Sequence, residues 1–132
     1  MTLHDEHAAA AWLPGQFRAL RTYLGMSVRD TADRYSVSVE SVRDWDRGKY
    51  QPPEGIRADM EDMLDQTTTV VEHLADRAHD TQAPVAIPRT PRDLPWTVEG
   101  ITVPEPVTLD WWKIVAARVY EDTGIPPVWP RS

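Results

Sequence analysis

Apolar residues recur along this chain at helical spacing in several separate stretches, and the breaks between them fall at capping residues, glycines and prolines. In the first stretch Leu13, Phe17, Leu20 and Leu24 stand at i, i+4, i+7 and i+11. Pro14 suits a first helical position and Gly25 a stop, so the spacing predicts a helix from Pro14 to Leu24. Val28, Thr31, Ala32 and Tyr35 then share one helical face, and Ser27 with Asp30 three residues on forms a capping box ahead of them. Ser36, Val37 and Ser38 make a turn. Ser38 is placed to cap a further helix, in which Val42 and Trp45 return to the core three residues apart. At about 100° per residue, Val39, Glu40, Arg43, Asp44 and Arg47 of that helix share an outward arc of roughly 140°, while Ser41, Val42 and Trp45 point the other way.

After Pro52 and Pro53 a helical period runs through Ile56, Met60, Met63, Leu64, Thr67, Val71, Leu74 and Ala78. The β-branched run from Thr67 to Val71 leaves two readings open, one long helix or two in series. Met60 and Met63 read as core. From Ala83 to Pro106, prolines at 84, 88, 91, 95, 104 and 106 exclude helix and leave short extended pieces, Val85 to Ile87 and Thr97 to Val103. Val85, Ile87, Leu94, Trp96, Val98, Ile101 and Val103 are more apolar than a flexible linker usually is, so the segment is expected to be an ordered arm. A last helix, capped by Thr108, presents Leu109, Trp112, Val115, Ala116 and Val119 at helical spacing and ends before Gly124. The closing stretch from Ile125 to Pro130 cannot be helical. The pattern divides the chain into residues 1–65 and residues 66–132.

Composition narrows the classes. The 132 residues include no cysteine, so disulfides and thiolate metal sites are excluded, and no apolar run approaches the ~20 residues that span a bilayer. The short charged start has no signal-peptide pattern, and a reducing cytoplasm is the expected address. The net charge of −7 is unevenly spread. Residues 1–52 hold seven basic side chains (Arg18, Arg21, Arg29, Arg34, Arg43, Arg47, Lys49) and seven acidic ones (Asp5, Glu6, Asp30, Asp33, Glu40, Asp44, Asp46), so the whole deficit lies in residues 53–132. A neutral first half permits contact with nucleic acid, whereas the acidic remainder repels it nonspecifically.

Few side-chain sets suggest other chemistry. His73, Asp76, His79 and Asp80 can approach one another on a helix, but no third strong ligand is fixed nearby, and they read as a solvated face with no metal. His4, Asp5, Glu6 and His7 read as a frayed tail. There is no Gly-rich phosphate loop, Ser/His/Asp set or paired-carboxylate cleft, so neither enzyme activity nor a cofactor is expected.

The stretch from Met26 to Lys49, with Thr31-Ala32, Val37-Ser38, Ser41-Val42, Trp45-Asp46-Arg47-Gly48-Lys49 and then Pro52, resembles the Cro/repressor-type (XRE) helix-turn-helix family, whose run usually ends in Trp-Glu-x-Gly-Lys and Pro. Ser36 replaces the family's turn glycine, and Val28 stands where a glutamine often touches phosphate. The C-terminal half, with Asp110-Trp111, Val115-Ala116-Ala117 and Tyr120 after a long helix, is similar to the small autorepressors associated with anti-CRISPR operons of phages and mobile elements. These resemblances imply a mainly α fold, with an N-terminal lambda-repressor-like helix-turn-helix domain and a C-terminal α+β dimerisation arm. They imply a homodimeric repressor of its own operon acting on an inverted repeat in double-stranded DNA, and, because some relatives bind RNA of their own transcript, RNA as a second partner.

The outward arc assigns base reading to Val39, Glu40, Arg43 and Asp44, and the helix-turn-helix resemblance implies phosphate contact for Ser27, Arg29, Ser38, Ser41, Arg47, Lys49 and Tyr50. Dimerisation is assigned to Trp96, Leu109, Trp112, Val115, Ala116 and Val119. Two other readings remain. One is an antitoxin whose C-terminal half wraps a toxin, and the other an adaptor in which Glu40 and Asp44 have ended DNA binding.

Overall fold

Three eight-residue helices, α1 (Gln16–Tyr23), α2 (Val28–Tyr35) and α3 (Val39–Asp46), open the part of the chain that the computed structural model describes, residues 11–95, 97–98 and 100–129. The tail residues His4, Asp5, Glu6 and His7, the arm residue Trp96 and the terminal Pro130 lie outside it. Helices this short are marginal in water, so each is fixed by its ends and by packing. Ser27 Oγ accepts from the Asp30 N–H at 2.9 Å while Asp30 accepts from the Ser27 N–H at 3.0 Å, the reciprocal box that the sequence predicts. Ser38 Oγ accepts from the Ser41 N–H at 3.0 Å and starts α3. Between them Ser36 sits at φ 53°, ψ 44°, the left-handed conformation in which a glycine would be unstrained. At the far end of α3, Gly48 has φ 75°, and a Cβ there would lie 2.9 Å from the Pro14 Cβ, so both backbone and neighbour require glycine.

The first helix departs from expectation. It starts at Gln16, not Pro14, because Gly15 at φ 89° turns the chain ahead of it. That turn reverses which side chain faces inward. Leu13, which its spacing with Phe17, Leu20 and Leu24 would put on the buried face of this helix, is 75% exposed, and Trp12 is buried in its place. The Trp12 backbone N–H donates to Gln51 Oε1 at 2.9 Å.

The chain divides into two compact units, Met1–Asp65 and Gln66–Ser132. In the first, Trp12, Phe17, Leu24, Met26, Ala32, Val42, Trp45, Met60 and Met63 form one apolar cluster, with the Phe17 and Trp45 rings edge to face at 5.5 Å between centroids. Ion pairs frame it. Arg21 grips Asp46 through two hydrogen bonds of 2.9 and 2.8 Å, fastening α1 to α3. Arg34 grips Asp59 at 2.8 and 3.0 Å, and the Tyr35 hydroxyl donates to the same carboxylate at 2.6 Å.

Helix α4 runs unbroken over 28 residues, Glu54–Thr81, which decides between the two readings of that stretch. Its β-branched run does not interrupt it because Thr67, Val70 and Val71 are fully buried, and packing of that face outweighs the few tenths of a kcal/mol that β-branching costs a helix.

The second unit is built from the later part of α4, an extended segment containing a 3-10 turn (Pro91–Asp93), the hairpin β1 (Thr97–Val98) and β2 (Ile101–Thr102), and α5 (Leu109–Thr123). The strands are antiparallel, with Val98 opposite Ile101. Thr108 caps α5 by accepting from the Trp111 N–H at 3.0 Å, and Gly124 at φ 74° ends it. The closing segment lies parallel to the arm, Ile87 donating to the Val128 carbonyl at 2.8 Å and Val128 to that of Val85 at 3.0 Å.

The stripe assigned to dimerisation is used inside one chain. Trp112, Val115, Ala116 and Val119 are buried, and Leu109 is half-buried against the same core. Val70, Val71, Leu74 and Ala78 of α4 supply the opposing surface, together with Leu94, Val98 and Val103 of the arm. A helix stripe that looks unpartnered in sequence here meets apolar residues some forty positions earlier, so these side chains are not free to join two copies.

Candidate nucleic-acid interface

The back of α3 is held by Val42, fully buried, and Trp45, whose ring packs on Phe17. Its neighbour Asp46 is turned to Arg21, so the acidic residue after the tryptophan serves the fold, not the outer face. The face opposite carries Glu40, Arg43 and Arg47, whose side chains are 63%, 60% and 58% exposed. Asp44 lies at its edge with its side chain 18% exposed. Val39 does not belong fully to this face; it is half-buried and packs against the core, because the first turn of α3 leans on the domain.

The charged residues of the face are bonded to one another. Arg47 Nη2 donates to Glu40 at 3.1 Å and also to Asp44, and Arg43 stands 3.9 Å from Glu40. Two cations and two anions sum to zero. Hydrogen bonds that it donates to Asp44 first and Glu40 second raise the Arg47 guanidinium above its already high ordinary pKa.

Of the residues assigned to phosphate, Ser27, Arg29, Ser38, Lys49 and Tyr50 are exposed, with the Lys49 ammonium 5.4 Å from the centre of the Tyr50 ring. Ser27 and Ser38 are already engaged as caps, and the Ser38 and Ser41 hydroxyls lie 3.0 Å apart. Both caps stand at helix N-termini, where the peptide dipoles favour an anion.

The triad of Arg34, Tyr35 and Asp59 escaped sequence reasoning. Its members are brought together from positions 24 and 25 residues apart, which no local period marks. Burial would raise the Asp59 carboxyl, but the hydrogen bonds of Arg34 and Tyr35 and the Arg34 charge hold it below its ordinary value. Burial, then the hydrogen bond and charge of Asp59, push the Tyr35 hydroxyl well above its ordinary value.

The second unit contains a half-open cavity of about 690 Å³, walled by Leu74, Ala78, Val85, Pro88, Val98 and Trp112, with Arg77 and Asp93 also in its lining. The Trp112 indole N–H is committed to the Ala86 carbonyl at 2.8 Å, so only the ring surface is offered there. Among the described residues no group of three His, Cys, Asp or Glu could hold a metal ion, and no helix is long and apolar enough to cross a membrane. No protein-family model, curated protein or solved structure matches this chain.

Proposed function

We propose that the chain is a sequence-specific DNA-binding transcriptional repressor, with α2, the turn at Ser36 and α3 acting as a Cro/repressor-type helix-turn-helix and α3 as its reading helix. One observation carries this reading. The inward side of α3 is anchored by Val42 and Trp45, while its outward side holds Arg43, Glu40 and Arg47 free of the core. An eight-residue helix is about 12 Å long, and the major groove, about 12 Å wide, admits it with side chains attached. Arg43 lies centrally and can donate two hydrogen bonds to a guanine edge. The neutral charge of this face limits attraction to phosphate alone, so affinity depends on base contacts and on two copies bound side by side.

Two reading helices about 34 Å apart on an inverted repeat would block polymerase sterically. The surface that pairs the copies is other than the buried stripe of α5. The second unit has an apolar core of its own, which suits a folded module better than an arm that orders only around a toxin. Autoregulation, with RNA of the same transcript as a second ligand, belongs to the same proposal.

Selection of bound duplexes from random DNA, scored against the chain's own upstream region and transcript, tests the reading. Arg43→Ala should cost about 1–3 kcal/mol on the selected operator and relax one base position in each half-site. Undiminished operator binding by Arg43→Ala would remove α3 as the reader, and a monomeric mass on the full repeat would remove the paired arrangement.

A further inference from the structure

The acidic residues on the outward face of α3 invite the objection that they oppose DNA binding, yet they differ in position and in what they hold. Asp44, mostly shielded, grips Arg47 from the edge of the face, whereas Glu40, largely exposed, stands between the two arginines, 3.1 Å from Arg47 and 3.9 Å from Arg43. Glu40 thus has the reach and the exposure to leave Arg47 for another donor, and Asp44 remains to steady the cation it leaves.

We propose that Glu40 is a specificity determinant of this face, exchanging Arg47 for the exocyclic amino group of a cytosine, while Glu40 and Asp44 together withhold Arg47 from the backbone of any other DNA. The proposal rests on the DNA-reading function of α3 given above.

The chemistry of the groove makes the exchange selective. Major-groove edges offer a carboxylate donors at cytosine N4 and adenine N6 only, and guanine and thymine turn acceptor oxygens toward it. At a wrong base Glu40 would be stripped of water and of Arg47 with nothing in return, so it penalises that sequence. Cytosine suits it best, because the single N4 amino group faces one carboxylate oxygen with no acceptor alongside, whereas adenine N7 adjoins its amino group and repels the second oxygen. On random DNA the clamp stays closed, Arg47 contacts no phosphate, and one counterion fewer is released. On the operator Glu40 swings to the base, and Arg47, still steadied by Asp44, turns the donors that Glu40 gave up to a phosphate. With Arg43 on guanine from the adjacent turn of the helix, the half-site should contain a cytosine and a guanine within the few base pairs that α3 spans.

Fluorescence anisotropy on the full chain separates these effects, with a mixed-sequence duplex and the selected operator as probes and salt as the variable. Glu40→Gln should bind the mixed duplex about five- to tenfold more tightly, steepen the log–log salt slope by about 0.9, and move the preferred base from cytosine toward adenine, which glutamine pairs in bidentate fashion. Asp44→Asn should tighten mixed-duplex binding as well, but keep the cytosine preference. Glu40 is largely exposed and Asp44 mostly shielded, and unchanged melting of the variants would exclude a folding effect. If Glu40→Gln leaves slope and base preference as in the parent while Arg43→Ala still weakens operator binding, Glu40 is a bystander and the inference falls with the DNA reading intact. If the parent binds no duplex at all, the reading and the inference fall together.

Discussion

The indole N–H of Trp111 donates to the hydroxyl of Thr67 across 3.0 Å, joining two fully buried side chains 44 positions apart. The bond ties α5 to α4 at the centre of the second unit's core. Thr67→Val keeps the shape and deletes the acceptor, leaving a buried N–H without its partner, so it should cost about 1–3 kcal/mol. Urea unfolding followed by tryptophan fluorescence should show a lower midpoint with an unchanged slope; a midpoint equal to the parent's would mean that another acceptor satisfies Trp111.

Val115 is buried within one chain, so a charge there should act on folding and not on association. Val115→Asp is expected to lose about 3–5 kcal/mol, the scale of an unpaired buried charge, and to melt the second unit. Tyr120→Asp, on the same helix but 48% exposed, should change stability by no more than about 0.5 kcal/mol. Circular dichroism with gel filtration distinguishes the cases, since a Val115→Asp protein that stays folded while changing only its oligomeric state would place this stripe between chains after all.

What could be read beforehand was local. The caps at Ser27, Ser38 and Thr108 announce themselves because a capping hydroxyl and its partner lie within three residues, and the left-handed Ser36 falls at the position where the resemblance puts a turn glycine. The start of α1 departs from the sequence pattern for a physical reason: Pro14 is compatible with a first turn, but the left-handed Gly15 ends that option and exchanges Leu13 for Trp12. The partners of α5 were out of reach. An apolar stripe states that it needs a cover and not whether the cover comes from the same chain, and here Val70, Val71 and Leu74 provide it. On the candidate interface, spacing located Glu40, Arg43 and Arg47, yet the position of Val39 against the core and the grip of Asp46 on Arg21 depend on how neighbouring helices approach α3.

The carboxyl of Asp59 gives the first unit an acid limit and Tyr35 an alkaline one. Against burial, which would raise it, Arg34 and Tyr35 lower the Asp59 pKa below 3.8, so the stabilisation is present above that value and is lost as pH falls through the lowered one. Burial and Asp59 raise the Tyr35 pKa above 10.0, so its contribution is present below that pH and is lost as pH rises toward the raised value. Asp59→Asn should flatten the stability profile at the acid end and, because burial is the larger cause of the Tyr35 shift, only lessen its slope at the alkaline end. Urea unfolding from about pH 3 to about pH 11 checks this, and a variant profile parallel to the parent's would assign the pH dependence elsewhere.

Ser36 carries backbone strain at the turn between α2 and α3. Ser36→Gly removes the Cβ that disfavours a φ of 53° and should stabilise the domain by about 0.5–1 kcal/mol, a little offset by glycine's greater freedom when unfolded. Thermal melting of the two proteins side by side is sufficient. A lower melting temperature for the glycine variant would show that the serine hydroxyl contributes more than its backbone costs.

The hydrogen bond from the Trp12 backbone N–H to the Gln51 side chain joins positions 39 apart in the chain, and α1, α2 and α3 all lie between them. None of these helices is long enough to persist alone, so each depends on its caps and on the core they share, and this bond, with Trp12 buried in that core, adds a tie between the two ends of the set. The first three helices should therefore exchange their amide protons together, as one cooperative block with a single opening free energy. A tag or truncation that disturbs Trp12 would then act on α3, 27 residues downstream of it by the numbering, as strongly as on the end it touches.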